Sequence, residues 1–394
     1  MENMYMWLGI SHLRPFRYVV LIVFSFGLAT VLTGEIWSQT KVVEDFESAI
    51  GGKLSSQEIS LGWISIFDGQ SFYGWRNTGR WQTENGAIVA SAKNDTILRT
   101  GVQFDDYELR LEFQTDPGTQ SSVLIRTSPN PGPEDAYEFE FNSNEEKPKQ
   151  WHQLRIVANG PDMNSWIDDQ PFTNVRDATN RKGYIGLKHT KGAVRIRNIR
   201  LLPLNLPPLF NGKDLSGWDD SQKMESEFKV VNRSLQMLGG RGQIETDAQF
   251  GDFILLLQAR TNADGLNSGL FFRCIPDDVM NGYESQISNV YLETDRTRPN
   301  DCGTGGIFRR QDARFVNADD QAWFAKTIVA DGATLFVWVN GYLVCDWTDR
   351  RKPNDNPRKG RRLKPGTIIL QGHDPSTDVS FREIYARELN KRRN

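Results

Sequence analysis

Glu284 and Gln286 stand two residues apart in GYESQIS, a segment whose alternation reads as a β-strand. Strand parity puts Glu284, Gln286 and Ser288 on one face and Tyr283, Ser285 and Ile287 on the other. A carboxylate can take or return a proton, and a neighbouring amide can hold a hydroxyl. Arg273 lies near the end of the strand NSGLFFRC and is expected to project its guanidinium onto the same polar face. His373 follows LQG at a strand-to-turn junction and is one of 4 histidines in the chain. An imidazole at such a junction is a candidate for acid–base work. A carboxylate, an amide and a guanidinium on one curved sheet would form a groove able to move protons on a polar substrate. The plainer readings stay open: a wet sheet face, and a structural or exposed histidine.

These residues belong to a chain written twice. LFNGKDLSGW (209–218) repeats IFDGQSFYGW (66–75), and the pairing continues in order. QSSVLIRT (120–127) answers NSGLFFRC (267–274), with Arg126 opposite Arg273. AYEFEF (136–141) answers GYESQI (282–287), WHQLRIVANG (151–160) answers WFAKTIVADG (323–332), and VRIRNI (194–199) answers VSFREI (379–384). The second copy carries an insertion of about 25 residues within 288–321, the largest difference between the copies. His189 is the nearest counterpart of His373, but an ungapped pairing sets Thr190 opposite His373. A one-residue slip reverses the facing side, so the first copy is expected to have lost or moved that group.

Both copies alternate with period two, and Gly, Asn and Asp clusters such as Glu84-Asn85-Gly86 and Val339-Asn340-Gly341 separate the strands. No long stretch has helical periodicity. The expected architecture is all-β: two tandem jelly-roll sandwiches, at 57–203 and 204–390, after an N-terminal segment 1–56. A proline-stiffened linker, 202–208, joins them. Residues 18–34 form an apolar run preceded by Arg14 and Arg17, the pattern of a signal peptide or a short membrane anchor. Export is therefore expected, with membrane attachment through 18–34 as one form of it.

Net charge is −3 and pI about 5.9, which argues against a nucleic-acid partner. The basic cluster Arg350, Arg351, Lys352, Arg358, Lys359, Arg361, Arg362 and Lys364 reads as a solvated loop, with an anionic-glycan site as the alternative. All three cysteines, Cys274, Cys302 and Cys345, fall in the second copy. Export would permit a Cys274–Cys302 bridge pinning the insertion; otherwise they are ordinary thiols. No CxxC pair, HExxH, G-x-S-x-G elbow or dinucleotide fingerprint occurs. Trp75, Trp218, Trp151 and Trp323 recur at equivalent repeat positions and read as core, while Trp338 and Trp347 are candidates for stacking on sugar.

LFNGKDLSGW, NSGLFFR, GYESQI, TGGIF, WVNG, LQGHD and VSFREI, in this order, resemble the 3-keto-disaccharide hydrolase domain family. The resemblance is strong over about 204–389 and weaker over about 61–202. It implies a concanavalin A-like jelly roll, bacterial export, and cleavage of glycosides already oxidised to a ketone at C3. Such a ketone acidifies the C2 proton, so a base can remove it, the C1 substituent leaves by elimination, and water adds. On that chemistry Arg273 would stabilise the enolate, Glu284 and His373 would do acid–base work, and Asn267, Gln286 and Gln371 would hold sugar hydroxyls. Asn289 stands where many members have aspartate, and Glu383 where they have asparagine. If that aspartate binds metal or substrate, Asn289 weakens the site, while Glu293, Asp295 and Asp301 offer nearby oxygens for a hard cation such as Ca2+. In the first copy Asn267, Gln286 and Gln371 become Gln120, Glu140 and Lys188, so that copy is expected to bind or scaffold. The competing readings are a non-catalytic, lectin-like carbohydrate-binding protein and a surface spacer, because fold alone does not settle function.

Overall fold

The computed structural model describes residues 53–91, 94–129, 136–141, 150–176, 178–220 and 224–390. The apolar run 18–34 lies outside them. Among the described residues no helix is long and apolar enough to cross a membrane.

Four sheets account for the fold, two in each repeat. In the first repeat, the smaller sheet runs Trp75–Arg76, Asn94–Thr100, Tyr184–Lys191, Gln120–Thr127, Tyr137–Glu140. In the second it runs Trp218–Asp219, Gly242–Thr246, Thr367–Gly372, Asn267–Cys274, Tyr283–Ser288, the same order with the same sequence counterparts. Each smaller sheet faces a larger one. The second repeat's larger sheet is ordered Glu227–Val231, Ser234–Leu238, Asp378–Glu388, Phe253–Thr261, Phe324–Asp331, Thr334–Val339, Tyr342–Thr348. The result is all-β: two antiparallel jelly-roll sandwiches in tandem, each with its own core.

Alternation differs between the copies for a tertiary reason. His152–Asn159 buries every second residue and shows the others to solvent, whereas its counterpart Phe324–Asp331 is buried throughout. The outer face of the second repeat's larger sheet packs on the first sandwich, so Ile254, Val329, Phe336 and Trp338 join the first core. A sheet covered on both faces needs apolar residues on both. Polar contacts finish this junction. Trp338 Nε1 donates to Ser65 O at 3.0 Å, Arg76 pairs with Asp346 at 2.5 Å, and Lys182 Nζ lies 3.1 Å from Asp331. The linker is tied down at both ends: Leu204 N donates to Asp106 O and Ala386 N to Pro207 O.

Candidate active site

The outer face of the second repeat's smaller sheet carries the site. Tyr283 and Ile287 enter the core, and Glu284 and Gln286 face outward, as parity requires. The ladder sets Glu284 beside Phe271, Gln286 beside Gly269, and Ser288 beside Asn267. Gly269 is where the floor opens. A Cβ there would lie 2.8 Å from Gln371 Oε1 and 2.9 Å from Glu284 Oε1, so glycine alone lets the two side chains meet above the backbone.

The insertion builds one wall. Its TGGIF segment lies along the free edge of Tyr283–Ser288: Thr304 N donates to Ser288 O, Gly305 N to Gln286 O and Phe308 N to Glu284 O, each at 2.9 Å. Asp301 then leans over the floor and accepts from Asn267 Nδ2 at 2.7 Å and Gln286 Nε2 at 3.1 Å. The first sandwich braces this wall from behind. Tyr73 Oη accepts from Gln311 Nε2 at 2.9 Å, and Arg314 stacks over the Tyr73 ring and pairs with Asp68 at 3.1 Å. Asp68 and Tyr73 lie in the first copy's IFDGQSFYGW, so that signature supports the neighbouring site.

Arg358 comes from the basic loop on the other side. Its Nη2 is 3.6 Å from Glu284 Oε2, its Nε donates to Met280 O, and its guanidinium lies 5.3 Å from the Phe271 ring centre. Part of the basic cluster thus serves the site, while Arg351 is taken up by Asp349. His373 is half-exposed, its Nδ1 2.8 Å from Asp374 Oδ2, an arrangement that orients the ring and leaves Nε2 for other partners.

Burial pushes the Glu284 carboxyl up to about 7, assisted by Asp301 and opposed by Arg358, His373 and Lys326. A carboxyl poised near neutrality can both accept and return a proton. Asn267 Oδ1 and Gln371 Oε1 are buried and have no hydrogen-bond partner. Buried acceptors of this kind, closed to solvent and without a donor, are exceptions to full hydrogen-bond satisfaction.

Two expectations need correction. Arg273 does not reach the groove. Its side chain is buried under the sheet, donating to Gly251 O at 2.8 Å, Gly332 O at 2.7 Å and Asp252 Oδ1 at 3.0 Å. Arg126 repeats this in the first copy, to Asp105 O, Gly160 O and Asp106 Oδ1. Both arginines take positive φ, 48° and 54°, at a bulge that turns the side chain inward. Gly366 and Gly183 cross so closely that a Cβ would come within 2.6 Å of the arginine backbone. A feature present in both copies belongs to the fold. Trp338 is likewise buried against the first sandwich and offers no sugar platform, whereas Trp347 is half-buried beside Tyr283 and Arg351. The three cysteines are free and buried, with no Cys274–Cys302 bridge.

The oxygens considered for calcium do not fit a shell of six to eight ligands. Asn289 Oδ1 accepts from Thr304, Asp295 accepts from Thr297, Glu293 pairs with Arg298, and Asp301 holds two amides. Among the described residues, Asp219, Glu245 and Asp277 bring acid oxygens within 4.8 Å of one another, Asp219 and Glu245 on the two strands of this sheet farthest from Tyr283–Ser288. There Glu245 already accepts from Thr367 and from the Asp277 amide.

The first copy's equivalent face is closed chemically. Ser122 stands where Gly269 does and donates to Glu138 at 2.6 Å, and Lys188 donates to both Glu138 oxygens at 2.9 Å. These partners hold the Glu138 carboxyl below its usual range despite its partial burial. His189 turns into the core beside Trp81, as the one-residue slip implied. Glu138→Gln is accordingly expected to leave turnover at the wild-type level, measured on the substrate used for Glu284 variants.

Residues 62–149, 142–202 and 206–387 match the profile of the 3-keto-alpha-glucoside-1,2-lyase-like domain. The chain belongs to this family. Membership places it among proteins that act on carbohydrates. No curated protein matches the chain. Among solved structures, a glycosyl hydrolase candidate from Parabacteroides distasonis is 26% identical, covering 48% of this chain and 85% of that one at a TM-score of 0.37. Another from the same organism is 23% identical, covering 47% and 100% at 0.38. A carbohydrate-binding module from Bacillus subtilis is 13% identical, covering 32% and 94% at 0.28.

Arg358, Asp374 and Lys326 were not singled out in the sequence as members of this site. The order LQGHD did contain Asp374, and the basic cluster contained Arg358, but nothing local marked one arginine among its neighbours.

Proposed function

We propose that the second sandwich cleaves glycosides bearing a ketone at C3, and that the protein is exported to act on them. The observation that supports this best is the Glu284 carboxyl, poised near neutrality beside a cation and two unpartnered amide oxygens. Glu284, as carboxylate, takes the proton from C2, and the electron pair moves into the C2–C3 enolate. Arg358, the guanidinium closest to Glu284 in this groove, takes the enolate-stabilising role first expected of Arg273. The enolate then expels the C1 oxygen, with the C1–O bond breaking and a C1–C2 double bond forming. His373, oriented by Asp374, gives its proton to the leaving oxygen. Water addition across that double bond completes net hydrolysis. Asn267, Gln286 and Gln371 hold ring hydroxyls, and Asp301 keeps two of those amides in place.

The test pairs a 3-keto-glucoside with the corresponding ordinary glucoside and follows aglycone release by the purified chain. Release is expected from the keto substrate only. Sugar binding without release from either compound would favour the lectin-like reading and sink the enzyme.

A further inference from the structure

Beneath the groove, Lys326 is fully buried at 1% exposure. It stands on Phe324–Asp331 of the opposite sheet, and its Nζ crosses the core to donate to Ser285 O and Gln286 O, both at 2.9 Å. Its counterpart in the first copy is Leu154, an ordinary core residue. A fold that accepts leucine at this place does not need a lysine there for packing. Burying an ammonium is costly unless something offsets the loss of water. The lysine occurs only in the copy whose sheet carboxyl is not tied to a serine and a lysine.

We propose that Lys326 is a positioning residue of the active groove: its ammonium fixes the strand that presents Glu284 and Gln286, and supplies positive charge from below to Glu284. The geometry places that charge on the carbonyls immediately following Glu284, out of reach of solvent screening. The charged or titratable groups facing Glu284 are Arg358 from the basic loop, His373 from the end of Thr367–Gly372, Asp301 and Cys302 from the insertion, and Lys326 from the opposite sheet. Lys326 in turn feels Glu284 and Cys302, and burial brings its ammonium down to about 7. Glu284 and Lys326 therefore titrate as a coupled pair, each charged form favouring the other.

The proposal rests on Glu284 being the proton-carrying group of the groove, not on the identity of the sugar. It is tested on the carboxyl itself, without substrate. Infrared difference spectra of the full chain, with Glu284→Gln as the subtraction, follow the protonated carboxyl band from about pH 4 to about pH 9. In Lys326→Met the band is expected to persist to higher pH than in the wild type, by about 1 pH unit or more, because an attractive charge has been removed. Lys326→Leu, the residue type of the first copy, serves if the methionine variant does not fold. An unchanged titration in a folded variant overturns the proposal, and a shift to lower pH overturns it equally. A purely structural lysine would alter the melting temperature and leave the Glu284 titration in place.

Discussion

Glu284→Gln is expected to lower release from a 3-keto-glucoside by about 10²–10⁴-fold, the range general acid–base groups contribute, with sugar binding retained. Glutamine keeps the size and the hydrogen-bonding edge of the side chain but cannot accept the C2 proton. In the wild-type enzyme the base form is required, and burial holds this carboxyl up to about 7. The rate is therefore expected to fall as pH drops through 7, and that limb should vanish in the residual activity of the variant. Stability moves the other way. The unfolded chain loses this proton near 4.5 and the folded chain near 7, so between those values the folded state holds the extra proton. Stability from this group falls as pH rises across that window, by on the order of 3 kcal/mol in total. Glu284→Gln should thus melt above the wild type at pH 8, with the advantage gone near pH 4. A variant both inactive and less stable at pH 8 would point to a broken fold instead of a missing base.

Arg273→Met is expected to destabilise the second sandwich by about 3–5 kcal/mol, read by urea denaturation. The guanidinium satisfies the carbonyls of Gly251, Gly332 and Arg362 and pairs with Asp252, so its loss leaves these groups facing an apolar side chain. Arg126→Met should do the same to the first sandwich, because Asp105, Asp106 and Gly160 are the counterparts of Gly251, Asp252 and Gly332, and the Asn180 carbonyl adds a fourth partner. Matching losses in both copies would establish the arginine as the clasp of its bulge. Unchanged stability with lost turnover in Arg273→Met would instead return it to the chemistry.

Residues close in sequence on regular strands were the most legible part of the site. Glu284 and Gln286 share a face because side chains alternate across a strand, and the core residues Tyr283 and Ile287 on either side of them leave no other register. The doubled order of motifs was equally plain, since each copy needs the same succession of strands to close a sandwich. Arg273 escaped this logic. Parity presumes regular backbone, and a positive φ at its bulge turns a residue that counted as outward into the interior. The sequence did hold a warning: Arg126 repeats it in the copy whose groove had changed, and what both copies share serves folding first.

What the chain determined by itself was the architecture, the duplication, and that the first repeat had lost polar groups the second kept, since strand periodicity and the replacement of Gln371 by Lys188 are local facts. Tertiary structure decided the rest. It chose Arg358 out of a cluster of basic residues because one loop position lies within 3.6 Å of Glu284. It laid the insertion along the free strand edge, where unpaired backbone groups had to find partners. And it brought Lys326 through the core to a strand 40 positions earlier in the sequence, a contact no periodicity encodes. Charge, burial and proton affinity arise from groups that meet only when the sheets close.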